Sequence, residues 1–168
     1  MASPIPASTP IPASTDDKVQ IQELIARYAW SFDTGDVEGF VGCFAEDATL
    51  CEDVFEEVDQ WVGRDQIRAM AERFFAHPGF PGRQHHVSQV LIEGSAERCR
   101  VRAFCFVIEP RPDQPCMVLF SGYYDDVAVK VDGRWLFKER VIRHWSGPIL
   151  RNFPGQDGVK VPRKRPPG

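Results

Sequence analysis

A chain of 168 residues suits one domain with a single core. Its apolar share of 43% and charged share of 26% are those of an ordinary globular protein. The formal charge of -4 offers no basic field for nucleic acid, and no run approaches the roughly 18 apolar residues of a membrane span.

The first residues lack a basic start and a continuous apolar segment, so no secretory signal is expected. Residues 4 to 15 read "PIPASTPIPAST", a six-residue unit written twice. Rich in proline and without charge, this stretch predicts an extended or disordered arm over 1–15. Thr15 or Asp16 then caps a helix, with Asp16 and Asp17 favourable at its positive end. Val19, Ile21, Leu24, Ile25, Tyr28 and Phe32 recur at the spacing of one buried helical face, which carries the helix to about Asp33. "TGD" breaks it, and Asp36 reads as the cap of a short second helix, "VEGFVGCF". "EDATLCED" predicts a turn into a strand, and the acid-rich "EDVFEEVD" a solvated lip. "GRDQIRAMAERFFAH" is a third helix, with Ile67, Met70, Ala71, Phe74 and Phe75 on one face.

After residue 83 the chain turns to β-branched and aromatic residues. Four stretches, "RQHHVSQVLIEG", "RCRVRAFCFVIEP", "CMVLFSGYYDDVAVKV" and "RWLFKERVIRHW", are separated by turn signals that include the tight "VDGRW". They predict an antiparallel meander. The fold class is therefore α+β: three N-terminal helices packed on a strongly curved, mostly antiparallel sheet of four to six strands, a cone-shaped barrel enclosing a pocket. The domain spans 16–150, and 151–168 is a Pro/Gly-rich basic tail. Five cysteines (Cys43, Cys51, Cys99, Cys105 and Cys116) form no CxxC pair, which points to reduced thiols in a cytoplasmic protein and to no metal site.

The segment "FDTGDVEGFVGCFAEDATL", the strand "HHVSQVLIEG" and the end "DGRWLFKERVIRHW" together resemble the SnoaL-like branch of the nuclear transport factor 2-like superfamily. The pattern is similar to scytalone dehydratase, hexachlorocyclohexane dehydrochlorinase and bile-acid 7α-dehydratase, over roughly residues 17 to 147. In those lyases an Asp at the end of the first helix pairs with a His on the first meander strand. The resemblance puts these on Asp33 and His85. His86 is adjacent, and only one of two neighbours on a strand faces the cavity easily. It also puts a polar Tyr on Tyr28 and an Arg of the last strand on Arg143. The chain departs from the scytalone pattern in having Cys105 where a second pocket His stands and Tyr124 in place of an Asn, and in lacking the Tyr that follows the second helix.

An imidazole oriented by a carboxylate removes a proton from an activated carbon and returns it to a leaving hydroxyl or to another carbon, without cofactor or metal. Tyr28 and Arg143 would hold oxygens, and Trp30, Phe44, Phe106, Tyr124 and Trp145 would line the pocket. Each has a plainer reading: Asp33 ends a helix, the histidines are ordinary strand residues, Arg143 bridges Glu139 or Asp126, and the aromatics are core. Asp53 is a separate candidate, since its region resembles the one supplying the single carboxylate base of ketosteroid isomerases.

The resemblance implies a lyase (dehydratase-like or aldehyde-releasing) or isomerase acting on a small hydroxylated cyclic or aromatic compound. It leaves open a non-catalytic small β subunit of an aromatic-ring-hydroxylating dioxygenase, or a polyketide cyclase-type ligand-binding protein. The expected partners are a small-molecule substrate and further copies of the chain, a trimer before a dimer, with neither nucleic acid nor membrane.

Overall fold

The computed structural model describes residues 10–54, 58–150 and 152. Expectations for the arm before residue 10, for residues 55–57 of the acidic lip and for nearly all of the tail fall outside them.

Helix α1 (Thr15–Thr34) is capped by Ser14, not by Thr15 or Asp16. The Ser14 hydroxyl accepts from the Asp17 amide at 3.1 Å while the Asp17 carboxylate accepts from the Ser14 amide at 2.9 Å, a reciprocal box made by S-x-x-D. The carboxylate also receives Trp135 Nε1 at 3.0 Å and Lys130 Nζ at 2.5 Å, which ties the helix start to the sheet. Ile21, Leu24, Ile25, Tyr28 and Phe32 are buried, while Val19 is exposed. Gly35, at φ +74, supplies the left-handed turn that ends the helix. Asp36 then caps α2 (Val37–Val41) by accepting from the Gly39 amide at 2.9 Å.

Strand β1 (Phe44–Asp53) begins earlier than expected: "FAEDATLCED" is strand throughout, because Phe44, Ala48 and Leu50 have the core to bury. It is followed by β2 (Asp59–Val62) and α3 (Gly63–Phe75), in which Ile67, Met70 and Ala71 face inward. Strands β3 (Gln84–Gly94), β4 (Arg98–Glu109), β5 (Met117–Val131) and β6 (Arg134–His144) form the meander. Asp132 and Gly133 both take positive φ in the tight β5–β6 turn, as a two-residue hairpin requires.

The sheet runs β2-β1-β6-β5-β4-β3, antiparallel except where β1 lies parallel to β6. It is mixed and open, with β2 and β3 as edges, and the helices cover one face. The fold is the cone-shaped α+β arrangement. Pro12 bridges to Ser95, and the Ala96 amide donates to the Ile11 carbonyl, so this part of the repeat lies along the β3–β4 turn. Among the described residues no helix is long and apolar enough to cross a membrane.

Candidate functional site

Cross-strand register orders the concave face into rows. The outermost is His85, Val107 and Phe120. Next come Val87, Cys105, Gly122 and His144, then Ala103, Tyr124, Ile142 and Glu52. Deeper lie Val101, Asp126, Arg140 and Leu50. Helix α1 runs along these rows and ends against the outermost, which we call the rim.

At the rim Asp33 holds His85 twice. The His85 amide donates to Oδ2 at 2.7 Å, and Nδ1 meets Oδ1 at 2.5 Å. A carboxylate in the last turn of a helix sits at the negative end of its dipole, an unfavourable place offset here by the two bonds. The pair is mostly enclosed, with side chains 17% and 12% exposed. Phe32 packs on the His85 ring at 5.3 Å and on Phe80 at 5.0 Å. The second imidazole nitrogen, Nε2, has no hydrogen-bond partner among the described residues. His86 points to the opposite, convex face and stacks on Phe106 with centroids 4.9 Å apart.

Three rows deeper, Arg140 is 0% exposed and Asp126 1%. The guanidinium carbon lies 3.8 Å from the ring centre of Tyr28, 3.9 Å from Tyr124 and 4.1 Å from Phe137. Burial pushes the Asp126 carboxyl up to about 7, against the pull of Arg140. Burial also holds the Tyr28 and Tyr124 hydroxyls and the Cys105 thiol protonated, the last near 11. Cys105 Sγ and the Tyr124 hydroxyl are 2.9 Å apart.

Of the expected residues, the cone therefore gathers Asp33, His85, Tyr28, Phe44 and Tyr124, all on its concave side. Arg143 is not among them. It pairs with Asp53 at 3.1 Å and Asp125 at 3.3 Å on the convex face, which also keeps Asp53 off the concave side. The cause is a bulge: Glu139 pairs with Val127 and Phe137 with Ala128, leaving Lys138 over. Strict alternation from Phe137 would turn Arg143 inward, whereas the extra residue turns Arg140, Ile142 and His144 inward instead. Trp30 is 75% exposed on the outer side of α1. Phe106 and Trp145 stand on the convex face, where Trp145 meets Phe104 at 4.7 Å.

Arg140, Asp126 and His144 are the residues that sequence reasoning missed. Arg140 is one of three consecutive charged residues, Lys138, Glu139 and Arg140, between "WLF" and "VI", and which of them turns inward depends on the bulge. His144 packs on Phe120 at 5.0 Å, and burial lowers its pKa. Among the described residues no group of three or more His, Cys, Asp or Glu is placed to hold a metal ion. A cleft of about 200 Å³ lined by Gln20, Glu23, Arg27, Gly133, Arg134 and Trp135 shares no residue with the site.

The family model of a SnoaL-like domain matches residues 13–141. Comparison with the curated proteins finds no match. Among solved structures, a protein of unknown function from Mycobacterium tuberculosis is 26% identical, with a TM-score of 0.70 over 83% of this chain and 78% of that one. A protein of unknown function with a cystatin-like fold, from Nostoc punctiforme, is 26% identical, with a TM-score of 0.69 over 82% and 98%. A candidate scytalone dehydratase from Novosphingobium aromaticivorans is 27% identical, with a TM-score of 0.66 over 77% and 84%.

Proposed function

The chain belongs to the SnoaL-like domain family, and on that premise we propose that it is a cofactor-independent lyase or isomerase acting on a small hydroxylated cyclic or aromatic compound. The observation that carries the reading is the double hold of Asp33 on His85. With Nδ1 bonded to the carboxylate, Nε2 is the nitrogen left for substrate.

His85 Nε2 takes a proton from carbon next to a carbonyl or aromatic ring, and the electron pair of that C–H bond moves into the ring or enolate. Asp33 keeps the imidazole in one tautomer and stabilises the imidazolium. That imidazolium then protonates the departing hydroxyl, releasing water and closing a double bond. Returned to another carbon, the same proton gives isomerisation. Tyr28, kept protonated by burial, is a donor to a substrate oxygen. Dehydration is the first choice, supported by the likeness to a candidate scytalone dehydratase; release of an aldehyde uses the same proton steps. The test is turnover of a panel of hydroxylated cyclic ketones and phenols by the wild type, Asp33→Asn and His85→Ala. Activity retained in both variants would remove the pair from the account.

A second reading draws on the convex face, where Leu91, Phe104, Val118, Leu119 and Trp145 are exposed. That surface supports assembly, a homotrimer first, and it also suits a non-catalytic small subunit of a ring-hydroxylating dioxygenase. Co-purification with an iron–sulfur subunit would favour the subunit reading, and turnover by the purified chain alone would rule it out. The five free cysteines support a reducing, cytoplasmic setting.

A further inference from the structure

We propose that the cleft between helix α1 and the β5–β6 turn is a second binding site, separate from the reaction site. Its ligand is a small carboxylate that carries an amino or hydroxyl group on the neighbouring carbon.

Space and free donors meet there. The cleft holds about 200 Å³, more than a cavity of about 150 Å³ that admits benzene. Gln20, Glu23 and Arg27 form one stripe of α1, and Gly133, Arg134 and Trp135 face them from the turn and the start of β6. Both walls are fixed. The Trp135 indole donates to Asp17 at 3.0 Å and carries the Lys130 ammonium over its ring. Positive φ at Asp132 and Gly133 sets the two-residue turn that presents Arg134.

Charge identifies the ligand. Most of the described arginines pair with an acid, but Arg27 and Arg134 make no hydrogen bond or ion pair with any described residue. Glu23 precedes Arg27 at the i, i+4 spacing where helical ion pairs form, and yet the two are not bonded. The neighbouring acids do not serve instead. Asp17 is taken by Lys130, Ser14 and Trp135, and Asp16 by the Gln20 amide at 2.6 Å, while Asp132 of the turn bonds neither arginine. Both guanidinium charges also reach the Cys43 thiol, where they oppose the burial that raises it to about 11. The two cations therefore converge on one side of the molecule.

Two cations and one anion around such a space match a ligand with the opposite set. Its carboxylate bridges Arg27 and Arg134, whose planar forks suit two oxygens, and its ammonium or hydroxyl donates to Glu23. All three side chains are exposed, so the ligand enters from solvent and binds modestly. About 20 Å of helix rise separates Gln20 from Asp33, which sets the cleft towards the far end of α1 from His85.

The test is a nuclear magnetic resonance titration with valine, 2-hydroxyisovalerate and isovalerate, which share one carbon skeleton. It follows the amide signals of Gly133 and Arg134 and the indole N–H of Trp135. Valine and 2-hydroxyisovalerate should shift these with dissociation constants of about 1 mM, and isovalerate, which lacks the donor, should bind about tenfold more weakly. Arg27→Gln combined with Arg134→Gln should abolish the shifts. Both side chains are exposed and unbonded, so circular dichroism should not change. Glu23→Gln should weaken valine about tenfold and 2-hydroxyisovalerate less, because a neutral amide still accepts from a hydroxyl but no longer pairs with an ammonium. No shift at these residues up to about 20 mM ligand, survival of binding in the paired variant, or equal binding of isovalerate would overturn the site. Shifts confined to Asp33 and His85 would place the ligand at the reaction site and overturn it too.

Discussion

The two faces of one sheet carry almost the same kinds of residue and do different work. The concave face holds His85, Tyr124, Asp126 and Arg140 under helix α1; the convex face holds His86, Tyr123, Asp125 and Arg143. Each pair is adjacent in sequence or three residues apart. Yet Arg140 is stacked on aromatic rings, whereas Arg143, itself partly exposed, bridges two partly buried acids. Residue type therefore says little here, and strand phase decides which histidine and which arginine face the side of the sheet that the helices cover.

The largest break in this comparison is at the histidines. His85→Ala should lower kcat/KM by about a thousandfold, within the range for a positioned general base, while circular dichroism stays unchanged. His86→Ala, one residue away on the other face, should change kcat/KM by less than about twofold and lose its stacking on Phe106, about 1 kcal/mol, with a long exposed contact to Gln84. A larger catalytic effect at His86 would reverse the assignment of faces.

The arginines come next, in stability. Arg140→Met leaves the Asp126 carboxylate buried without its partner and should cost about 3–5 kcal/mol in urea unfolding. Arg143→Met breaks contacts to Asp53 and Asp125 at a solvent-facing site and should cost less than about 1 kcal/mol. Equal losses would mean that the convex network matters as much as the interior pair.

Two buried aspartates sharpen the contrast through pH. Hydrogen bonds from Lys130, Ser14 and Trp135 hold the Asp17 carboxyl far below its usual range. Its folded pKa is depressed, so its stabilisation is present above about pH 4, the unfolded value, and is lost as pH falls below it. Asp126 is shifted the other way, to about 7. The stability it contributes as a protonated acid is full below about pH 4 and is lost as pH rises to 7. Urea midpoints of Asp17→Asn should therefore approach wild type in acid, whereas those of Asp126→Asn should differ most from wild type above pH 7. Parallel curves for the two variants would contradict the opposite environments.

Much of the fold was legible because its signals are local. The helical face of Ile21, Leu24, Ile25 and Tyr28, the Asp36 cap and the Asp132–Gly133 turn each depend on a few neighbouring residues. The Ser14 cap was missed because the proline-rich repeat reads as arm up to residue 15, although S-x-x-D was present. At the site, Asp33 and His85 came from the family resemblance, and the structure brings them within hydrogen-bond distance. Arg140 was hidden by one extra residue at Lys138. A bulge is set by pairing to β5 and β1 across the sheet, and nothing in the composition of β6 marks it. Trp145 and Phe106 were misassigned for a related reason: an aromatic strand residue looks alike whether it faces helices or solvent.

The smallest effect tests helix α1 itself, which has the same two-sidedness as the sheet. Tyr28 faces the Arg140 cage, while Trp30, two residues on and about 200° around the helix, stands in solvent. Exposed aromatic surface on an isolated chain adds little to stability, so Trp30→Ser should shift unfolding by no more than about 0.5 kcal/mol. Nor should it change kcat/KM, because Trp30 lies on the side of α1 away from His85. A clear rise in KM with unchanged stability would place substrate outside the cone. A fall in assembled mass would instead make this face of α1, rather than the convex sheet, the surface that a second copy covers.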